Sequence, residues 1–318
     1  EMEQTYEENI RERFYNAINE DHNIFLTGAG GSGKSYIISE MKKKIGDEKV
    51  IFITSTTGVS ALNIGGLTIH SFAGIGISKT VEDGIRCVNK NKKAQTFIKT
   101  CEILVIDEIS MAGKQLLQVL NGVFKYVRKS NEIFGGIQVI FTGDFLQLPP
   151  INDDFCFESS IWNELNLVVI QLTKLYRFTD NIYSDLLMRV RTATHTIEDN
   201  KLLLSRKKAY DDLESNDDPF IIRPTFLYSK KINVDQKNIE ELERINNPIV
   251  LLKCKDNFNK VEKDDQIFIK SQLDNMVTST LSLKIGAQVM LTKNLNIEIG
   301  LCNGSRGVVV DINQNQKI

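Results

Sequence analysis

The segment Gly28-Ala29-Gly30-Gly31-Ser32-Gly33-Lys34-Ser35 sets glycine, lysine and serine at the spacing G-x-x-x-x-G-K-[ST]. Glycines let successive backbone amides turn toward one point, and the N-terminus of a following helix adds its own donors. The lysine of such a loop reaches the β and γ phosphates, and the hydroxyl after it ligates magnesium. The chemistry is the binding of a nucleoside triphosphate with Mg2+.

Two other strings add the means to break that triphosphate. Asp107-Glu108 follow the apolar run Ile103-Leu104-Val105-Ile106. Open α/β sheets place ligands at strand ends, so Asp107 suits the magnesium shell and Glu108 suits activation of an attacking water. Alone, such a pair reads first as a solvated strand end; downstream of a phosphate loop it reads as catalytic. A base for water also separates a hydrolase from a kinase, which needs none there. Gly143-Asp144-Phe145-Leu146-Gln147-Leu148-Pro149-Pro150 comes directly after a further apolar run. The Gln147 amide can contact the γ phosphate and the water. The competing reading of that segment is a proline-rich domain linker.

These residues need a scaffold that gathers strand ends. Through the first half of the chain, short β-branched runs alternate with amphipathic segments, the pattern of a parallel sheet faced by helices. Strands are expected at 23–27, 50–55, 103–107 and 137–142, with helices at 35–44 and 114–129. The second of these helices has Leu116, Leu117, Leu120, Phe124 and Val127 on one face. Pro149-Pro150 ends the cycle. A second cycle is expected, with strands at 167–172 and 225–228, helices at 182–191 and 233–244, and a solvated acidic loop at 211–218. Beyond Pro248, strand-like pieces at 249–252, 266–270, 288–291 and 306–311 predict a small all-β module.

A chain of 318 residues has room for about two domains. With 42% hydrophobic and 25% charged residues, wholesale disorder is excluded, and no apolar run nears the roughly 20 residues of a membrane-spanning helix. The acidic start lacks a signal-peptide pattern, and the five scattered cysteines form no Cys-x-x-Cys pair. Together these predict a reducing, intracellular location and no secretion. Glu1 precedes Met2, so the chain is expected to begin inside a longer reading frame unless Met2 is the start. A net charge of −2 leaves nucleic-acid binding open, because a basic channel can hide within a balanced total.

Further strings lie between and beyond these motifs. They are Thr54-Ser55-Thr56-Thr57-Gly58-Val59-Ser60-Ala61, Ile64-Gly65-Gly66-Leu67-Thr68-Ile69-His70-Ser71-Phe72, Asp107-Glu108-Ile109-Ser110-Met111 and Phe134-Gly135-Gly136-Ile137-Gln138. Leu172-Thr173-Lys174-Leu175-Tyr176-Arg177, Leu283-Lys284-Ile285-Gly286-Ala287-Gln288-Val289-Met290-Leu291 and Asn303-Gly304-Ser305-Arg306-Gly307 follow. In this order they closely resemble the PIF family of superfamily 1B DNA helicases.

The resemblance implies an α/β P-loop NTPase with two RecA-like lobes, the second incomplete, and a partial SH3-like β module. The implied division is 1–160, with a wedge insertion at about 77–100, then 161–248 and 249–318. It implies a monomeric motor that uses ATP and Mg2+ to move 5′ to 3′ along single-stranded DNA and to act at duplex junctions, with no membrane partner. A nuclear, mitochondrial, or viral and host-cytoplasmic setting would suit it.

Carried over by position, Lys34 and Ser35 bind phosphate and metal, Asp107 holds the metal, Glu108 is the base and Gln147 senses the γ phosphate. Arg177 becomes an arginine finger reaching in from the second lobe; without its flanking match it reads as a surface charge. Thr56, Thr57, Gly58, Thr68, His70 and Ser71 become DNA contacts. Phe72 is either a base-stacking platform or a packed core residue. Lys230 and Asn233, with Ser229 and Asn238, would line the second lobe's DNA track. From 79 to 99, six basic residues stand against two acidic ones, which fits either the wedge insertion or a solvated face.

Two departures stand out. Family members carry an adenine-reading glutamine before the phosphate loop, and Gln4 lies too far upstream to be its equivalent. The family's last motif, a His-Lys-Ser-Gln-Gly run with a second catalytic arginine, has no counterpart before Ile318. The leading reading is therefore an ATP-dependent helicase missing its C-terminal end. The alternative is a nucleotide-dependent DNA-binding module that does not translocate, and a nucleoside kinase is a distant third.

Overall fold

Runs of β-branched and aromatic residues build one six-stranded parallel sheet in a computed structural model of the chain. It describes residues 2–214, 218, 221–254, 279–292, 295–296, 299, 301 and 304–313. The chain divides into two units, Glu1–Asp199 and Asn200–Ile318. In the first, α1 (Met2–Asn19) precedes β1 (Ile24–Gly28) and α2 (Lys34–Ile45). Next, β2 (Ile51–Ser55) leads through α3 (Gly58–Asn63) and β3 (Leu67–Thr68) to α4 (Ile69–Ala73). Two helices, α5 (Val81–Asn89) and α6 (Lys92–Thr100), precede β4 (Ile103–Asp107). The unit continues through α7 (Lys114–Arg128), β5 (Gln138–Gly143), α8 (Ser160–Glu164), β6 (Val168–Leu172) and α9 (Asn181–Arg191).

The strands run β3-β2-β4-β5-β1-β6, every neighbouring pair parallel. All five β4 residues are buried, as a parallel strand covered on both faces requires. Alternate side chains sort to opposite layers: Phe25, Leu104, Ile106, Val139 and Phe141 pack with α4, α6, α7 and α8. Ile24, Leu26, Ile103, Val105 and Ile140 pack with α1 and α2. The fully buried Phe124 of α7 and Phe141 of β5 each contribute about 1.5–3 kcal/mol from removal of apolar surface from water. The register pairs Ser55 with Asp107, Ile106 with Phe141 and Thr27 with Gly143, which brings the C-terminal ends of β2, β4, β5 and β1 level.

The four strands expected in the first half lie within a residue of their predicted positions. The strand expected to open a second cycle is instead β6, the edge of this first sheet, paired with β1 from Ile24↔Val168 to Gly28↔Leu172.

The helix α10 (Ile197–Glu214) carries the chain into the second unit, which holds α11 (Lys231–Glu243). There β7 (Val250–Lys253) pairs antiparallel with β8 (Thr280–Leu283), and β9 (Gln288–Met290) with β10 (Arg306–Val308). Two expectations change. The acidic stretch does not begin as a loop, because no Pro or Gly interrupts α10 before Glu214, and Asp211 and Asp212 are helical. Residues 225–228 form no strand; side-chain hydrogen bonds instead hold the chain just before and at the start of this segment. Gln288 accepts from the Arg223 amide at 3.2 Å and donates to Ile221 O at 3.2 Å, and Arg306 Nη1 lies 3.4 Å from Thr225 Oγ1. The expected strand at 266–270 lies outside the described residues. Among those described, no helix is long and apolar enough to cross a membrane.

Candidate functional site

At the end of β1 the chain must reverse into α2, and it does so through left-handed backbone at Gly31 (φ 85°) and Gly33 (φ 93°). Gly31 is also pressed by a neighbour: a Cβ there would stand 2.6 Å from Arg177 Cβ. The Tyr176 amide donates to Gly31 O at 2.8 Å. Arg177 therefore lies against the phosphate loop on the segment that leaves β6. The expectation that a second lobe supplies it is corrected, because β6 belongs to the first sheet.

Lys34 Nζ donates to the carbonyls of Gly28 at 2.6 Å and Ala29 at 3.2 Å. Burial pulls its pKa below the usual lysine value, while Asp144, Glu108 and Asp107 pull the other way. Ser32 is buried, and its hydroxyl has no hydrogen-bond partner among the described residues, leaving it available to a ligand in the loop. With the glycine-rich loop and the amides opening α2, these groups are the kind of donor set that suits an anion.

The end of β4 faces the same place. Thr142 Oγ1 donates to Asp107 Oδ1 at 2.5 Å, which orients the buried carboxylate. Asp107, Ser35 and Thr142 line one cavity of about 300 Å³. A carboxylate and a hydroxyl are the hard oxygen donors Mg2+ takes beside phosphate, so these residues fit the ion. Glu108 adopts φ 55°, ψ 43°, a left-handed conformation that costs a non-glycine residue on the order of 1–3 kcal/mol. Burial raises its pKa above the usual glutamate value, helped by Asp107 and Asp144 and opposed by Lys34. A carboxylate tuned upward is better matched to taking a proton from water near neutral pH.

Gln147 reaches the loop as well, its Nε2 lying 3.9 Å from where a Gly30 Cβ would stand. That nitrogen donates to Asp144 Oδ2 at 3.3 Å, and the Leu146 amide donates to Asp144 Oδ1 at 3.1 Å. Asp144 is in turn gripped by a residue that sequence reasoning missed. Arg191 of α9 donates Nε to Oδ2 at 2.9 Å and Nη2 to Oδ1 at 2.7 Å. Burial pushes the Asp144 carboxyl upward, but the hydrogen bonds from Arg191, Leu146 and Gln147 outweigh it, and the net shift is downward. Arg191 carries no motif of its own, and no local spacing ties it to Asp144.

The candidate DNA segment begins beside this centre. Thr56 Oγ1 donates to the Glu108 carbonyl at 3.0 Å, joining that segment to the candidate base. Thr57 Oγ1 accepts from the Ser60 amide at 3.2 Å and caps α3, and the space beside Gly58 is open. Thr68 caps α4, accepting from the Ser71 amide at 3.2 Å and donating to Ser71 Oγ at 2.9 Å. His70 is half-buried, and burial lowers its pKa toward the neutral ring. Phe72 is corrected from a base-stacking candidate to a core residue: it has 0% exposure and sits among Phe52, Phe97 and Phe124 with centroids 5.0–6.1 Å away. The basic side chains of residues 79–99, Lys79, Arg86, Lys90, Lys92, Lys93 and Lys99, are all exposed. Lys230 and Asn233 are exposed at the start of α11, in the second unit.

A family model described as PIF1-like helicase matches residues 3–199, and one described as DNA helicase Pif1, 2B domain, matches residues 270–312. The ATP-dependent DNA helicase PIF1 of Danio rerio is 36% identical over 302 residues, 93% of this chain and 45% of that protein. The crystal structure of Pif1 helicase from Candida albicans superposes with a TM-score of 0.76 at 33% identity, covering 96% of this chain and 69% of that one. A Bacteroides Pif1 helicase, solved in complex with ADP-AlF3 and ssDNA, superposes at 0.64 with 27% identity, covering 96% and 70%. The chain thus spans about half the length of the zebrafish relative.

Proposed function

The chain belongs to the PIF1-like helicase family, and on that premise we propose that it is an ATP-driven motor moving 5′ to 3′ along single-stranded DNA and opening duplex ahead of it. The observation that carries this reading is the convergence of Lys34, Asp107, Glu108 and Gln147 on one place, set by the level ends of β1, β4 and β5. Lys34 and the loop amides hold the phosphates. Asp107 and Ser35 would hold Mg2+, which when bound would supply neutralisation of phosphate charge. Glu108 takes the proton of the attacking water, and Gln147 orients that water and registers the γ phosphate. Arg177 stabilises charge on the phosphoryl group in transfer.

Thr56, Thr57, Gly58, Thr68, His70 and Ser71 offer hydroxyls, amides and a neutral imidazole to DNA phosphates. The Thr56 to Glu108 bond gives strand binding a direct route to the hydrolytic centre. In the second unit, the exposed Lys230 and Asn233 offer a cation and an amide to DNA. The segment beyond residue 249 is assigned to the family's small β module, supported by its two antiparallel pairs and the 2B-domain match.

Steady-state ATP hydrolysis with and without single-stranded DNA tests the reading. DNA is expected to stimulate turnover, and Glu108→Gln to abolish hydrolysis while nucleotide binding survives. Equal rates with and without DNA would sink the motor and favour a non-translocating DNA-binding module. Wild-type turnover by Glu108→Gln would remove that residue from the base role.

A further inference from the structure

Beside the phosphate cradle lies a second cavity of about 350 Å³, walled by Ser32 and Gly33 of the loop, Tyr36 of α2, Tyr176, and Ile10 and Arg11 of α1. A triphosphate seated in the loop must send its nucleoside to one side, and this cavity has the character of a base site: apolar walls, two tyrosine rings and a few polar groups. Arg11 stands at its edge. Its guanidinium lies 5.7 Å from the centroid of the Tyr36 ring and 3.6 Å from Glu40 of α2. It makes no hydrogen bond among the described residues, and its side chain is 40% exposed, so its donors can turn to a ligand. The second charged side chain at the cavity, Lys174, lies 5.1 Å from the Tyr176 ring and is likewise a pure donor.

Donors alone discriminate between purines. Guanine presents O6 and N7 side by side as acceptors, which a guanidinium meets with two parallel bonds. Adenine presents N7 beside an N6 amino group, which sets donor against donor. An amide can serve adenine because it offers one donor and one acceptor; arginine offers no acceptor. The Ser32 hydroxyl, which also borders the cavity, can donate or accept and favours neither base.

We propose that Arg11 is the base-reading residue of the triphosphate site, and that it makes the protein accept guanine nucleotides at least as well as adenine nucleotides. This rests on the triphosphate reading of the Gly28 to Ser35 loop and adds its base selectivity.

The test is equilibrium competition on the full chain with Mg2+, in which ATP, GTP and base-free tripolyphosphate displace a fluorescent nucleoside triphosphate. GTP is expected to displace the probe at a concentration no higher than ATP, and both well below tripolyphosphate. Arg11→Gln, on a part-exposed helix face, is expected to shift the GTP-to-ATP affinity ratio toward ATP by roughly 5- to 150-fold, the worth of one bidentate base contact. Tighter binding of ATP by the parent chain, or an unmoved ratio in Arg11→Gln, overturns the proposal while leaving the triphosphate site intact. Nucleotides no tighter than tripolyphosphate would remove the base cavity. A probe that fails to bind, or binds equally to Lys34→Ala, would sink the triphosphate reading and this one with it.

Discussion

Glu108 is the residue whose surroundings say most about chemistry. Its left-handed backbone sets it just beyond the strand end, and burial with two neighbouring carboxylates raises its pKa. A general base works only when deprotonated, so turnover should fall as pH drops through a value above the ordinary glutamate pKa of 4.5. A pH-rate profile would check this; an acid limb at or below the ordinary value would mean that the group limiting the rate is not this carboxyl. Arg191 and Asp144 give a structural counterpart. Arg191→Met leaves a buried carboxylate without its bidentate partner and should cost about 3–5 kcal/mol, with much of the loss recovered when Asp144→Asn is added. Because the Asp144 pKa is lowered on folding, its stabilisation is present above the unfolded pKa and lost as pH falls through the folded one. The deficit of Arg191→Met, read by denaturant unfolding, should therefore shrink in acid; a pH-independent deficit would place the effect in packing.

Among the elements, the pair α5 and α6 presents an inner apolar face and an outer basic one. Val88, Ala94 and Ile98 are buried against the same core as Phe72, while the lysines stay exposed. Replacing Lys92, Lys93 and Lys99 together by Ala should leave unfolding unchanged and weaken DNA binding. The slope of log affinity against log salt should flatten by about 0.7–0.9 for each DNA phosphate that a lysine no longer neutralises. An unchanged slope would return these lysines to the role of a solvated face. Strand β3, only two residues long, gave no apolar run to read, whereas β1, β2, β4 and β5 were legible because each is a short apolar run. The destination of residues 168–172 was not, since an apolar run does not say which sheet it joins; Gly28 and Leu172 settle that by pairing across 144 positions. Phe72 was ambiguous for a related reason. Its neighbours in sequence, Ser71 and Ala73, are small and set no pattern, and the rings that bury it, Phe52, Phe97 and Phe124, come from β2, α6 and α7. The triphosphate motifs stand out in the sequence because their spacing is local, whereas the Arg191 grip and the Arg11 cavity are assembled only by folding.

For the whole molecule, every residue of the proposed triphosphate centre, from Arg11 and the Gly28 to Ser35 loop to Asp107, Glu108, Gln147, Arg177 and Arg191, falls within the unit Glu1–Asp199. The proposed DNA residues do not: Thr56 to Ser71 belong to the first unit, Lys230 and Asn233 to the second. Nucleotide binding should thus be complete in the first unit. Mass action makes this measurable, because a ligand that binds only the folded state stabilises it by about 2.7 kcal/mol at 100 times its dissociation constant. Amide hydrogen exchange with a non-hydrolysable triphosphate and Mg2+ should show added protection of that size in β1, β4 and β5, whose ends hold the ligand. Lys34→Ala should abolish the gain in all three strands. Protection confined to the loop, with the three strands unmoved, would mean that the ligand does not engage the sheet ends together, and the convergence on which the hydrolytic reading depends would fail.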